Sequence, residues 1–454
     1  MEKKSISRRT FMKRTTPGIA GAAAISGMGG SSVYCDVIKK ADVPALLGGT
    51  PVRTDSFPDW PVYDGTDVQM LLDAYHSKKW CRLGATRVDM FEKKFSELMG
   101  VPFCNATNGG TTALYTSLSV LGVGPGDEVI VPPYTFVATI NVVTITHALP
   151  VFVDTDPDTL MINADLIEER ITEHTRAILP VHIGGGAADM DKILAISKKY
   201  SIPVVEDACQ AWLGEWRNKK LGSMGDTGCF SFQASKNLNC GEGGAIISSN
   251  EKIMDLCYAF TNNGRPPITK EATLSGYPFP GTNHRMTEFQ GAILLGQIRR
   301  LEEQQNLRSK NAAYLDELLK KIPGISPRKN YPGQTRNAYH LYMMLYDKNH
   351  FNGLHKNKFA QAMNAEGIPV STGYTPLNKQ GFIEYHLNSR AFKTVFSKER
   401  LDKYRRENNC PANDYICEET ALWLGQNVLL GTEKDMIDIA EAVGKIQKNS
   451  AKLL

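Results

Sequence analysis

Short apolar runs alternate with segments of helical period between about residues 106 and 249 of the 454-residue chain. The runs are typical of buried strands, and apolar residues three and four apart are typical of amphipathic helices. The predicted strands are Glu128 to Val131, Pro150 to Val153, Ala177 to Val181, Pro203 to Val205, Cys229 to Phe232 and Ala245 to Ser248. The predicted helices are Thr111 to Leu121, Asn163 to Ile171 and Met190 to Tyr200. This order predicts an α/β fold with a mostly parallel central sheet covered on both faces.

The pattern changes in the last third of the chain. A long polar helix is predicted over Met286 to Lys321, and a connection rich in Pro and Gly follows from Pro323 to Pro332. Such connections are typical of domain boundaries. Beyond it, Ala338 to Tyr346 is a predicted strand and His355 to Glu366 a predicted helix. We therefore expect a large α/β domain over residues 36–325 and a smaller C-terminal α+β domain over residues 326–454.

The first residues have the layout of an export signal. Arg8-Arg9 lies in a basic stretch, and an uncharged run rich in Gly and Ala follows from Thr15 to Gly30. A pair of arginines before such a run is typical of twin-arginine signals, so residues 1–35 predict export and a periplasmic location. The run is too short and too rich in Gly for a stable membrane insertion. The alternative is a disordered basic tail followed by a linker.

Charge and cysteine usage exclude several classes of protein. The net charge is +4, but the first 34 residues hold six basic side chains and one acidic one, which leaves the body at −1. A nucleic-acid-binding polycation is therefore excluded. The nine cysteines form no C-x-x-C pair, and no H-E-x-x-H occurs. We expect no metal site.

Two segments of the predicted sheet are suited to binding a phosphorylated aromatic ring. Gly109-Gly110-Thr111-Thr112 directly precedes a predicted helix, and the free N–H groups at a helix N-terminus bind phosphate. The alternative is an ordinary turn. Phe136 follows a predicted strand and could lie against a ring or in the core.

An acid and a lysine follow two later strands. Glu206-Asp207 ends an apolar strand, where a carboxylate is costly unless a cation pairs with it, and a structural salt bridge is the alternative. Lys236 follows a short aromatic strand, and a solvated surface lysine is its alternative. A site for pyridoxal 5'-phosphate requires a phosphate-binding loop, an aromatic ring, an acid and a lysine. The sequence offers these four features in that order. The carboxylate would keep the pyridine nitrogen protonated, and the amine would bond to the cofactor aldehyde.

The sequence contains several motifs in the same order as the DegT/DnrJ/EryC1/StrS family of fold-type I aminotransferases, and it resembles that family. The resemblance runs from about Leu47 to the C-terminus. It is carried by G-P-G-D-E-V-I-V-P-P-Y-T-F-V-A-T (124–139), L-P-V-H (179–182), V-V-E-D-A-C-Q-A (204–211), F-S-F-Q-A-S-K-N-L (230–238) and N-H-R-M-T-E-F-Q (283–290). The sequence departs from the family pattern at Gly109, where many members have Ser, at Thr282, where many have an aromatic residue, and at Pro132-Pro133. The export signal is the largest departure, because enzymes of this family usually act on cytoplasmic nucleotide sugars.

The resemblance implies a role for each matching residue. Lys236 and Asp207 would be catalytic, with Lys236 bonded to the cofactor and Asp207 paired with the pyridinium nitrogen. The other implied cofactor-binding residues are Gln210 at the phenolic oxygen, Phe136 against the ring, Gly110, Thr111 and Ser231 at the phosphate, and Asn283 reaching the phosphate from a partner subunit. Arg285 and His182 would face the substrate, although His182 could equally be a hydrogen-bonded core histidine. A homodimer with shared active sites is therefore expected.

These implications lead to a functional hypothesis. The chain is predicted to move an amino group from glutamate or glutamine to a keto-sugar or keto-cyclitol in two half-reactions. A sugar dehydratase on the same scaffold is one alternative, but there the lysine is replaced by histidine. A non-catalytic cofactor- or sugar-binding protein is a second alternative. A nicotinamide-binding protein is disfavoured because G-x-G-x-x-G does not follow the first strand.

Overall fold

A computed structural model describes residues 41–267, 276–277 and 280–454 of the chain. The predicted export signal at residues 1–35 lies outside the described residues. No helix within the described ranges has the length and apolar character needed to cross a membrane.

The large central sheet contains β1 (Phe103–Thr107), β2 (Glu128–Val131), β3 (Leu149–Phe152), β4 (Thr175–Ile178), β5 (Val205–Asp207), β8 (Thr227–Ser231) and β9 (Gly244–Ser248). Their order across the sheet is β3-β2-β4-β5-β8-β9-β1. Parallel bridges from Ile178 to Val204 and from Val181 to Asp207 join its two halves. Only β9 runs against its neighbours, because it is antiparallel to both β1 and β8. The predicted mostly parallel sheet of an α/β fold is therefore confirmed.

Helices cover this sheet on both faces and continue to the C-terminus. They are α1 (Gly65–His76), α2 (Arg87–Met99), α3 (Gly110–Val120), α4 (Ala138–Ile145), α5 (Met190–Tyr200), α6 (Glu251–Thr261), α7 (Glu288–Gln297), α8 (Leu301–Leu319), α9 (Lys356–Ala365), α10 (Gly381–Leu387), α11 (Arg390–Val395), α12 (Lys398–Glu407), α13 (Pro411–Tyr415) and α14 (Glu433–Asn449). A single 3₁₀ turn, Ile298–Arg300, separates α7 from α8. The helix predicted over residues 286–321 is thus nearly continuous.

One predicted helix is wrong. Between Asn163 and Ile171 the chain forms two 3₁₀ turns, Ala164–Leu166 and Glu168–Arg170, and Ile171 is already extended. The Asp165 N–H donates to Asn163 Oδ1, and the N–H groups of Ile167 and Arg170 bond to carbonyls three residues back rather than four, which is the 3₁₀ pattern. The buried Ile167 side chain packs into the core between the two turns.

A second sheet of order β10-β12-β14-β13 lies in the C-terminal part of the chain. Its strands are β10 (Ile325–Pro327), β12 (Leu341–Tyr346), β13 (Val370–Ser371) and β14 (Ala421–Gly425), and every pairing is antiparallel. A small sheet is formed by β6 (Glu215–Trp216), β7 (Lys219–Lys220) and β11 (Gln334–Arg336). The strand predicted from Ala338 begins three residues later, because Tyr339 has a positive φ of 48° and breaks the extended run.

Two hydrophobic cores lie against the two large sheets. The first packs around β2, β3, β5 and β8 and includes Phe392 and Leu401 from the segment after residue 380. The second lies between α8, α9, α14 and the C-terminal sheet, and includes Leu315 and Leu319 from before residue 325. Because each core takes side chains from both sides of residue 325, the division into domains at that residue stays a prediction.

Candidate active site

A cavity of about 580 Å³ lies at the carboxyl ends of the parallel strands. Ligands bind at this edge in open α/β sheets because the loops after the strands converge there. The loops after β1, β2, β4, β5 and β8 form the floor of the cavity, and residues of the C-terminal sheet form one wall. Seven residues predicted from the sequence line it together: Gly110, Thr111, Phe136, Asp207, Gln210, Ser231 and Lys236.

One end of the cavity is the uncapped N-terminus of α3. The helix begins at Gly110, and its first N–H groups have no partner inside the helix. No side chain caps them, so they are free to bind an anion. A Cβ added at Gly110 would lie 2.7 Å from Ser231 Cβ and 2.9 Å from Cys209 Sγ. Glycine is thus required for the close approach of α3 to β8. Free amides, a hydroxyl and a tight backbone fit a bound phosphate.

Asp207 also lines the cavity and is 4% exposed. The Thr139 hydroxyl donates to Asp207 Oδ2 over 2.8 Å, and the Cys209 N–H donates to Oδ1 over 3.1 Å. Because Thr139 uses its proton on the carboxylate, the bond of 2.9 Å between Thr135 and Thr139 has Thr135 as donor. This relay holds the carboxylate in one orientation, in which it can pair with a protonated ring nitrogen.

The neighbouring Glu206 and His182 form a separate network in the core. His182 Nε2 donates to Glu206 Oε2 over 2.9 Å, and its Nδ1 accepts from the Ala188 N–H over 3.2 Å. The Glu206 carboxylate also accepts from the N–H groups of Gly222, Met224 and Gly225. His182 is 0% exposed and is not among the residues that line the cavity. His182 is therefore a hydrogen-bonded histidine of the core, which was the alternative interpretation. The expectation that His182 faces the substrate is corrected.

Lys236 lies in the loop between β8 and β9. The loop is closed by backbone bonds from the Phe232 N–H to Gly243 O and from the Ala234 N–H to Gly241 O. Lys236 is half-buried, and its Nζ is 6.0 Å from the centroid of the Trp212 ring. Burial lowers the pKa of the Lys236 amine, against the opposing effects of Cys209 and Asp207. A lowered pKa raises the fraction of free amine, the form that bonds to an aldehyde.

Gln210 links the floor of the cavity to its aromatic wall. Its Oε1 accepts from the Gly184 N–H over 2.7 Å, and its Nε2 donates to the Tyr374 hydroxyl over 2.9 Å. Tyr374 packs edge-on against Trp423 at 4.7 Å and against Tyr134 at 5.4 Å. Burial raises the pKa of Tyr374 to about 12, so its hydroxyl keeps its proton near neutral pH. Phe136 lines the cavity with 56% of its surface exposed, which leaves the side chain accessible to a bound ring.

Two predicted site residues lie outside the cavity of their own chain. Asn283 is exposed, and its Oδ1 accepts from the Arg285 N–H over 3.3 Å. Arg285 Nη1 donates to Asn262 Oδ1 over 2.9 Å. Neither residue lines the cavity with Lys236. Their roles toward cofactor and substrate stay predictions, as does the partner subunit from which Asn283 was expected to act.

Comparison with known proteins identifies the fold and the chemistry. Residues 62–403 match the model of the DegT/DnrJ/EryC1/StrS aminotransferase family. The chain belongs to this family. It is 34% identical over 427 residues, 90% of this chain and 98% of the relative, to the L-glutamine:2-deoxy-scyllo-inosose aminotransferase of Streptoalloteichus tenebrarius. It is also 34% identical over 425 residues, again 90% and 98%, to the enzyme of the same description from Streptomyces fradiae.

Solved structures agree with this assignment. The crystal structure of 3-amino-5-hydroxybenzoic acid synthase superposes with a TM-score of 0.76 at 29% identity and covers 87% of this chain and 99% of the synthase. As a family member the chain is a pyridoxal-phosphate-dependent aminotransferase of fold type I. The uncapped helix, the Gly110 cradle, Asp207 and Lys236 fit that cofactor. Among the described residues, no cluster of His, Cys, Asp and Glu side chains is arranged to hold a metal ion.

Several residues of this aminotransferase cavity were not predicted from the sequence. They are Thr135, Thr139, Cys209, His340, Tyr374 and Trp423. Thr139 lies one turn after Phe136 in the motif at residues 124–139, so the motif could have indicated it. His340, Tyr374 and Trp423 come from the C-terminal sheet and its approach loops, and no local pattern connects them to residues more than a hundred positions away.

Proposed function

We propose that this aminotransferase takes its amino group from glutamine and transfers it to the ketone of an uncharged cyclitol or sugar. The observation that carries the proposal is the cavity wall: Tyr374 and Trp423 present aromatic faces and one hydroxyl, and the ionisable groups of the described lining are Asp207, Glu242, Lys236, Cys209, His340 and Tyr374. Among the described lining residues, only Lys236 and His340 have basic side chains, and burial lowers the pKa of both. This suits a polyhydroxylated ring better than a ring bearing a diphosphate.

The relatives support both substrates. The enzymes from S. tenebrarius and S. fradiae are described as glutamine-dependent aminotransferases of 2-deoxy-scyllo-inosose, which is a keto-cyclitol. The chain covers 98% of each of them. A shared fold does not by itself fix a substrate, so the lining of the cavity and the relatives' activities are two separate supports.

The residues of the chain act at three places in this proposal. Pyridoxal phosphate, when bound, supplies an aldehyde for the amine and a ring that takes up the electron pair left when a proton leaves the donor's α-carbon. The amides at the start of α3 would hold the phosphate. Asp207, oriented by Thr139, would keep the proton on the ring nitrogen. Lys236 Nζ would hold the cofactor at its aldehyde and, as a free amine, would move the proton that leaves the donor's α-carbon.

The test is the absorption spectrum of the purified protein with pyridoxal phosphate, before and after addition of glutamine. We expect a band of lysine-bound cofactor that glutamine converts to the amine form and that 2-deoxy-scyllo-inosose restores. Lys236→Ala should abolish both conversions while the protein stays folded, and Lys219→Ala, at an exposed lysine in β7, should leave them unchanged. Binding without conversion by glutamine or glutamate would favour the dehydratase or the non-catalytic alternative.

We also propose that the working unit is a homodimer with shared sites. Exposed apolar side chains on α1, α2 and the segment between them support it: Val68, Leu71, Leu72, Tyr75, Trp80, Leu83 and Met90. Such patches mark protein interfaces. Asn283 is exposed outside the cavity of its own chain, as a residue that acts in a partner would be. Mixing inactive Lys236→Ala with Asn283→Ala subunits should restore activity in one site of each mixed dimer. Absence of restoration would contradict shared sites.

Export to the periplasm is likewise our proposal, and it rests on Arg8-Arg9 and the uncharged run that follows. Export of the folded protein would let the cofactor be loaded before translocation. Replacement of Arg8 and Arg9 by Lys should retain the protein in the cytoplasm, as followed by cell fractionation. Unchanged export by this variant would refute the twin-arginine interpretation.

A further inference from the structure

His340 enters the cavity from the C-terminal sheet and has no part in the chemistry described above. It directly precedes β12 and follows Tyr339, whose positive φ of 48° turns the chain sharply at that point. A bulky residue rarely adopts this conformation unless its surroundings impose it. The His340 ring packs edge-on against Trp212, at 5.8 Å between centroids, and lines the same cavity as Lys236.

Asn237, the residue after Lys236, fixes the tautomer of His340. Its Nδ2 donates to the Ala338 carbonyl over 2.9 Å, which assigns the two ends of the amide. Its Oδ1 therefore faces His340 Nδ1 over 3.1 Å, and an amide oxygen only accepts. His340 Nδ1 must then carry a proton and donate it. Asn237 is 2% exposed, so the bond is shielded from water.

The remaining nitrogen of His340 is a free acceptor. Burial first, and then the positive charges of Lys236 and Arg308, lower the pKa of His340 well below its ordinary value, so the ring is neutral. In a neutral ring with its proton on Nδ1, Nε2 has only a lone pair. Within the described part of the chain, Nε2 makes no hydrogen bond, although the side chain lines the cavity.

We propose that His340 Nε2 accepts a hydrogen bond from an N–H or O–H group of the substrate, and that Asn237 is the positioning residue that keeps this nitrogen unprotonated. This inference rests on the proposed function for the identity of the substrates. Two sources offer such a group: the side-chain amide of glutamine and a hydroxyl of the ketone acceptor. The side-chain carboxylate of glutamate offers only lone pairs near neutral pH and would be repelled.

A direct test of the tautomer needs no cofactor. The apoenzyme labelled with ¹⁵N at histidine reports the protonation of each ring nitrogen by NMR, and His340→Gln assigns the signals. We expect Nδ1 protonated and Nε2 unprotonated at pH 7. A proton on Nε2 would overturn the inference whatever the enzyme's activity.

Two substitutions separate substrate contact from a structural role. His340→Asn places an amide N–H near the position of Nδ1 and can keep the bond to Asn237, but it lacks a group at the position of Nε2. His340→Gln places an amide oxygen near Nε2 and gives up the Nδ1 bond. We expect roughly a ten- to hundred-fold loss of kcat/KM in His340→Asn and a smaller loss in His340→Gln. The opposite order, or no loss in either variant, would overturn the proposal.

Separate measurement of the half-reactions identifies the source of the hydrogen bond. If glutamine supplies the hydrogen bond, His340→Asn slows only the conversion of the cofactor by glutamine. The ratio of the conversion rates with glutamine and with glutamate then falls. If the acceptor supplies it, only the return step with 2-deoxy-scyllo-inosose is slowed. Wild-type protein that converts neither substrate would contradict the proposed function, and the NMR result would still decide the state of His340.

Discussion

Substitution of Gly110 tests whether close contact between α3 and β8 shapes the phosphate end of the cavity. In Gly110→Ser the new Cβ would lie 2.7 Å from Ser231 Cβ and 3.2 Å from Ser231 Cα. Ordinary carbon contacts are about 3.5–4.0 Å. The clash involves backbone, so α3 must move away from the strand. Overpacking of this kind costs about 1–3 kcal/mol of unfolding free energy. Hydrogen bonds to a charged group are worth about 1.5–3 kcal/mol, so displaced amides should weaken cofactor binding roughly ten- to hundred-fold.

The neighbouring glycine provides a matched control. At Gly109 the nearest atom to an added Cβ is Thr112 Oγ1 at 3.7 Å, which is an ordinary contact. Its φ of −176° is extended backbone that any residue adopts. Gly109→Ser should change stability by no more than about 0.5 kcal/mol. Chemical denaturation and a fluorescence titration with pyridoxal phosphate measure both quantities. Equal cofactor affinity in the two variants would refute the proposed role of the contact.

Two further substitutions test the acidic end of the cavity and the frame behind its wall. Thr139→Val keeps the shape of the side chain but removes the donor to Asp207, and should slow conversion of the cofactor by glutamine about tenfold or more. The control is Thr144→Val, because the Thr144 hydroxyl bonds to Asn141 O within the same helix. Equal conversion rates in the two variants would refute the role of the Thr139 hydroxyl. The buried Lys356 amine donates to backbone carbonyls that include Thr372 O at 2.9 Å and Ala421 O at 3.2 Å. The substitution Lys356→Met should lower the unfolding free energy by roughly 2–4 kcal/mol because these carbonyls lose their donor. Lys358→Met, at an exposed position of the same helix, should leave the unfolding free energy unchanged. Burial lowers the pKa of Lys356 to about 8 from 10.5. Between these pH values the unfolded chain binds more protons than the folded one, so the unfolding free energy of the wild type should rise with pH relative to that of Lys356→Met. The same dependence of the unfolding free energy on pH in both proteins would contradict this prediction.

The sequence was sufficient for the features that depend on local order. The short segments that hold the strands, the glycines at the start of α3, Asp207 at the end of β5 and Lys236 after β8 keep the predicted order in the fold. The failed helix between Asn163 and Ile171 shows the limit, because the same apolar spacing is compatible with two 3₁₀ turns that bury Ile167. His340 and Tyr374 show a second limit. Their place in the cavity depends on how the C-terminal sheet packs against the first, and no local pattern records that packing.

Glu206 and Asp207 show how one rule of local structure separates two neighbouring carboxylates. Successive side chains of a strand point to opposite faces, so only one of the two can face the cavity. Glu206 points to the core, where it fixes His182 and the backbone of the loop at residues 222–225. Asp207 points to the cavity and is held by Thr139. A single-residue shift of β5 would exchange these environments. The core network around Glu206, which includes His182, therefore supports the register that keeps Asp207 at the cavity.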